Sequence, residues 1–235
     1  HNSSPVCKGP FVAVSCAAFL AIFWALGGSG YWQMRTQLAV WRHLLPAASF
    51  RGAFSTPQAS YLFGEYQGVF NVMAWESITD SLPDAEHASE IAAISLSQQP
   101  GAREVLVVGP GSFSVCQRLL ELSALHVAYL HPDPDYPAAL LKALPPAKAR
   151  GFERLALPGK DVRAFLDETP QRYDLAILNI PDATALPLNR YYSREFFEAV
   201  QSRLAKNGVL CVRFSGGDNF MGPERVLQGA SLVTT

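Results

Sequence analysis

Charge is missing from one long stretch of this 235-residue chain, because no charged residue occurs between Gly9 and Met34. Cysteine is sparse and scattered. The four thiols, Cys7, Cys16, Cys116 and Cys211, include no C-x-x-C pair, which excludes a zinc ribbon or a disulfide framework. A basic excess is also absent. With a net charge of -1 and a pI near 6.6, the chain has no electrostatic footprint for nucleic acid, and no such partner is expected. Internal repeats and low-complexity tracts are lacking too.

The uncharged window holds the apolar run Phe11–Leu26, FVAVSCAAFLAIFWAL. A bilayer core takes roughly 20 such residues. Trp24, Tyr31 and Trp32 suit an interfacial aromatic belt, and Arg35, Arg42 and Arg51 follow the run against Lys8 before it. Residues 1–35 are therefore expected to hold a transmembrane helix, with the C-terminal portion cytoplasmic. A signal peptide or a buried soluble helix are the competing readings. Residues 36–60 read as a linker in which Gln37–Leu45 would lie on the membrane surface. Residues 61–82, aromatic and β-branched with Gly64 and Gly68, read as a small antiparallel β segment. The chain opens on His1 and closes at Thr235 without a terminal signal, and so reads as a piece of something longer.

From Pro83 the pattern changes. A helix is expected through AEHASEIAAISLSQQ, and then strands and helices alternate: EVLVVG, the helix Phe113–Ser123, HVAYL, the helix Tyr136–Ala143, FERLAL, KDVRAFLDE, YDLAILNI, SREFFEAVQSRLA, a turn at Asn207-Gly208, and VLCVRFS. Five strands alternating with helices imply right-handed crossovers and a Rossmann-like α/β domain with a parallel sheet, spanning 83–235.

In such a sheet, ligands bind beyond the carboxyl ends of the strands. The first of those ends carries Gly109 and Gly111, which permit close backbone approach ahead of a helix N-terminus, but Ser114 stands where a third glycine would complete G-x-G-x-x-G. The second ends in His131-Pro132-Asp133. A carboxylate there would bind a ribose diol through two hydrogen bonds; His131 cannot, and Asp133 reads equally well as a turn residue before Pro134. His87, between Glu86 and Glu90, lacks a second ligand cluster, so no metal is expected and a solvated face is the reading for that turn. Arg190 reads as an anion contact or as a helix anchor.

Several motifs in order resemble the spermidine synthase (polyamine aminopropyltransferase) family, nearest to bacterial membrane proteins in which a transporter-like region is fused to such a domain. Glu65-Tyr66-Gln67 resembles a Tyr-Gln element, and DAEHASE (Asp84–Glu90) resembles D-E-x-x-Y-H-E. VAYLHPDP resembles V-x-Y-V-E-x-D-P, and DVRAFL (Asp161–Leu166) resembles D-x-R-x-F-L. Tyr173–Phe197, YDLAILNIPDATALPLNRYYSREFF, is the most specific match, and GGDNFMGPERVLQGAS extends the likeness. The resemblance implies decarboxylated S-adenosylmethionine or S-adenosylmethionine as ligand and a polyamine as second substrate, with a homodimer as the assembly. It implies nucleoside contacts from Gln67, Gly109, Gly111, His131, Asp133 and Asp161, and substrate contacts from Asp84, Asp182 and Tyr192. It places Asn179 at the catalytic aspartate, with Asp182 at the second acidic position.

The departures bear on activity. Asn179 is an amide that cannot accept the proton of an attacking amine, and loss of a general base costs on the order of 10²–10⁴ in rate. His131 stands in place of the ribose carboxylate, and Phe113 or a neighbour in place of the loop aspartate, where it would narrow the pocket. The expectation is a nucleoside-binding domain in which aminopropyl transfer is weak, with a non-catalytic sensor of nucleoside or polyamine as the alternative. A methyltransferase ranks lower, because NIPD only superficially resembles N-P-P-Y.

Overall fold

The structure, a computed structural model, describes residues 28–122, 125–181 and 190–213. Two compact units divide at residues 50 and 51. In the first, helix α1 (Gly28–Trp41) leads to a 3-10 turn, Ala47–Ser49. Trp41 is fully buried, and its indole N–H donates to Ser49 Oγ at 2.9 Å and Pro46 O at 3.2 Å, which pins the turn against the helix end. No helix among the described residues is long and apolar enough to cross a membrane. The run Phe11–Leu26, on which the transmembrane expectation rests, lies outside the described residues, as do Cys7 and Cys16.

The second unit begins earlier than the pattern at Tyr61 suggested. Strand β1 (Phe50–Ser55) falls inside the expected linker and joins β2 (Ser60–Tyr66), β3 (Val69–Ala74) and β4 (Ser77–Leu82) in one four-stranded sheet of order β1-β2-β3-β4. The β2–β3 turn is Gln67-Gly68, both with positive φ (51° and 80°), as two-residue hairpins demand. After α2 (Ala85–Gln98) come β5 (Glu104–Val108), α3 (Phe113–Leu122), β6 (His126–Leu130), α4 (Tyr136–Ala143), α5 (Pro146–Ala149), β7 (Leu155–Ala156), α6 (Val162–Glu168), β8 (Tyr173–Leu178), α7 (Arg194–Ser202) and β9 (Leu204–Val212).

The second sheet is parallel throughout, in the order β7-β6-β5-β8-β9. Its strands are continuous apolar runs because both faces are covered. Val105, Val107, Val127, Tyr129, Leu175 and Ile177 point to one face, with α2, α3, α4 and the four-stranded sheet. Leu106, Val108, Ala128, Leu130, Ala176 and Leu178 point to the other, with Val162, Leu166, Phe196 and Val200 of α6 and α7. The chain leaves β5 toward β6 and β7, then returns to place β8 on the other side of β5. The switch in strand order therefore falls between Val108 and Leu178, and the residues just beyond it are Gly109 and Asn179.

Two local expectations change. FERLAL is extended only at Leu155–Ala156, because Gly151 (φ 96°) and successive turn hydrogen bonds occupy Phe152 and the residues after it. The last helix stops at Ser202 rather than Ala205, since Arg203 turns to donate to the Leu166 and Asp167 carbonyls at the end of α6. Strand β9 then starts at Leu204 and absorbs Asn207-Gly208 as a register irregularity instead of a separate turn.

Candidate active site

Gly109 is the tightest point of the β5–α3 loop. Its φ is 129°, and a Cβ there would meet Asn179 O at 2.1 Å, so glycine is required for the loop to lie on the end of β8. Backbone hydrogen bonds from Gly109 N to Leu130 O (3.0 Å) and from Asn179 N to Val108 O (2.8 Å) knit β5 to both neighbours at this height. Gly111 (φ 68°) leaves room for Thr79 O, 3.2 Å from where a Cβ would be. Ser114 has a task glycine could not perform: its hydroxyl donates to Ser81 O (2.7 Å) and accepts from Asp84 N (2.9 Å), tying α3 to the end of β4.

Asn179 is buried, and its amide orientation follows from its partners. Nδ2 donates to Ser112 Oγ at 3.0 Å, and Oδ1 accepts from Arg213 Nη1 at 3.3 Å, since a guanidinium can only donate. The same Nη1 lies 2.9 Å from His87 Nε2, to which the guanidinium donates. His87 is thus drawn to the sheet end instead of standing on a purely solvated face. The Tyr192 hydroxyl also arrives here, donating to Ile180 O (2.8 Å) and Pro181 O (2.9 Å). Asp182 lies outside the described residues.

Asp133, His131 and Asp161 have protein partners of their own. Asp133 is buried with its Oδ2 accepting from Thr56 Oγ1 (2.6 Å) and the Tyr61 hydroxyl (2.8 Å), and its Oδ1 from Asp135 N (3.2 Å). It is a turn residue and a bond between the two sheets, not a free ribose acceptor. His131 is buried and stacked on Tyr136 at 4.3 Å, and its Nδ1 accepts from Asp133 N at 2.9 Å. Burial drives its pKa down to about 4, so the ring is neutral at neutral pH. Asp161 caps α6, accepting from Arg163 N and Ala164 N, and pairs with Arg190 at 2.7 Å; Arg190 in turn covers the Tyr191 ring. Asp84 borders a groove of about 250 Å³ between α2 and α3 that includes Ser114, Gln117 and Arg118. Gln67 does not join the site. It is exposed at the hairpin tip, where Lys148 donates to Gly68 O, while the opposite end of β2 carries Tyr61 to Asp133.

Phe113 does not narrow a pocket either. It is fully buried in edge contact with Tyr129 (5.0 Å) and Phe152 (5.4 Å). Beside it lies Asp80, which the sequence pattern did not single out. Burial pushes its carboxyl up to about 7, against the favourable Tyr136 hydroxyl contact at 2.6 Å. The Phe113 and Gly111 amides also favour the charged form but stop short of full hydrogen bonds, and Oδ1 has no partner among the described residues. Only its place in the alternation of β4, invisible without the strand register, would have marked it. No group of acidic, histidine or cysteine side chains suited to a metal occurs among the described residues.

A parallel sheet with its glycine loop at the switch in strand order, preceded by an antiparallel sheet, defines a Rossmann-like domain of the methyltransferase type. The spermine/spermidine synthase domain matches residues 85–217, more than half of the chain, and the chain belongs to that family. A polyamine aminopropyltransferase of Oceanobacillus iheyensis is 31% identical over 61 residues, which is 26% of this chain and 12% of that protein. Polyamine aminopropyltransferase 2 of Pseudomonas aeruginosa is 28% identical over 124 residues, 50% of this chain and 36% of that one. The chain thus aligns with no more than about a third of either curated relative. Among solved structures, a spermidine synthase in complex with the transition-state analogue AdoDATO superposes with a TM-score of 0.58 at 15% identity, covering 70% of this chain and 57% of that one. The Thermotoga maritima spermidine synthase gives 0.56 at 14% identity, covering 70% and 56%. These likenesses establish the fold.

Proposed function

We propose that this chain is a spermidine synthase-like domain that binds an S-adenosyl or methylthioadenosine-type nucleoside beyond β5, β6 and β8, and in which aminopropyl transfer to an amine is disabled. The glycine loop and the α3 N-terminus at the switch point support the binding half of this reading. The observation that carries the other half is Asn179, an amide held between Ser112 and Arg213 where proton removal would require a carboxylate. Calorimetric titration with methylthioadenosine should give measurable heat, and incubation with decarboxylated S-adenosylmethionine and putrescine should release methylthioadenosine no faster than the uncatalysed background. Absence of nucleoside binding would overturn the first half, and rapid turnover the second.

A working aminopropyltransferase is the second reading, favoured by the family match itself. Asp182 at the second acidic position would then carry the amine contact. The uncharged window Gly9–Met34, followed by Arg35 and Arg42, supports attachment of the N-terminal side to a membrane with the folded unit on the cytoplasmic face. Cell fractionation of the full open reading frame tests that placement.

A further inference from the structure

The sheet end at Asn179 carries a cation and no described carboxylate in contact with it. Arg213 follows β9 directly, and its N–H donates to Leu178 O at 3.0 Å, which fixes its backbone beside the last residue of β8. Its side chain commits Nη1 to Asn179 Oδ1 and His87 Nε2, while Nε and Nη2 have no partner among the described residues. Among the described residues, three nearby carboxylates have partners of their own, and no ion pair joins Asp84 to Arg213. Asp80 is bonded to Tyr136, Asp133 to Thr56 and Tyr61, and Asp161 to Arg190. Glu86 and Glu90 are exposed on α2. The described groups that converge are therefore a hydroxyl, an amide, an imidazole and a guanidinium.

We propose that Arg213, Asn179 and His87 form a subsite for the carboxylate of a small organic acid, so that the second ligand of this domain is anionic at the end that meets β8. This deepens the nucleoside-site reading above and rests on it for the position of the second ligand. An ammonium group placed at Asn179 would lie against a guanidinium that no described carboxylate contacts. A carboxylate would find the remaining N–H groups of a planar fork that matches its two oxygens.

The test uses a matched pair of four-carbon probes, putrescine and 4-aminobutyrate, which differ in one end group. Titrated into the full chain with and without methylthioadenosine, 4-aminobutyrate should bind at least about tenfold more tightly than putrescine, the effect of one charge-assisted contact. Arg213→Gln should abolish that preference, and Arg213→Lys should retain part of it, because the charge survives without the fork. Equal binding, preference for putrescine, no 4-aminobutyrate binding, or a preference unchanged in Arg213→Gln would each overturn the proposal. The methylthioadenosine titration stands apart: its failure with the acid preference intact sinks the nucleoside reading and leaves the subsite.

Discussion

At the scale of the residue, Asn179 and Arg213 have to be considered together. Replacing Asn179 by aspartate would place a carboxylate 3.3 Å from a guanidinium that already touches that position, and the pair would form an ion bridge. An aspartate so paired is a poor base, because the neighbouring cation favours its charged form. Asn179→Asp alone should therefore leave methylthioadenosine release within about tenfold of the unaltered chain, whereas Asn179→Asp with Arg213→Gln should gain on the order of 10²-fold. Equal gains from the single and double variants would refute this. Asp80 offers a separate measurement. Its pKa is raised by burial from 3.8 to about 7, so the stability it lends is complete below pH 3.8 and is lost as pH rises through about 7. His131 acts in the opposite sense: its pKa falls from 6.5 to about 4, so its contribution is complete above 6.5 and is lost as pH falls through about 4. The two slopes oppose each other. Asp80→Asn should raise unfolding free energy at pH 8 by on the order of 1–3 kcal/mol and expose a steeper loss between pH 6.5 and 4 in urea titrations. Unchanged stability at pH 8 would show that Asp80 is not strained by burial.

At the scale of the element, the loop after β5 shows what the residue pattern could and could not reveal. The run EVLVVG, its glycines and the helix behind them were legible, because a buried parallel strand and an amphipathic helix follow from apolar spacing alone. The alternation also located β6, β8 and α7. It did not reveal which glycine mattered for what, since that depends on a neighbour 70 residues away: Gly109 is dictated by the Asn179 carbonyl. Nor did it find β1 within the supposed linker, because a half-buried edge strand has a weak apolar signature. Gln67 resembled a site motif locally, yet its hairpin put it at the far end of β2. Gly109→Ala should cost about 3 kcal/mol or more, combining a strained φ with a clash on β8 backbone. Gly159→Ala, with φ 62° and open space around a Cβ, should cost only about 1 kcal/mol. Chemical denaturation of the two variants decides it, and similar losses would mean that the loop yields at Asn179.

At the scale of the whole second unit, two buried carboxylates join the antiparallel sheet to the parallel one. Asp133, at the end of β6, is met by Thr56 and Tyr61 from the four-stranded sheet, and Asp80 on β4 is met by Tyr136 of α4. Around them Tyr61 and Tyr136 pack at 4.6 Å, so each polar link runs through a continuous aromatic seam. A buried charge that keeps its donors is tolerable, whereas one stripped of them costs several kcal/mol. Thr56→Val with Tyr61→Phe removes both donors to Asp133 Oδ2 and keeps nearly the same volume, so packing changes little. The pair should destabilise the unit by about 3 kcal/mol. In an Asp133→Asn background the same pair should cost about 1 kcal/mol or less, because a neutral amide tolerates burial without those hydroxyls. Hydrogen exchange distinguishes this link from a general weakening: amides of β3 and β4 should exchange sooner than those of β5 and β8 in the Thr56, Tyr61 variant. Uniform acceleration across both sheets, or additive losses in the Asp133→Asn background, would mean that the seam and not the carboxylate holds the sheets together.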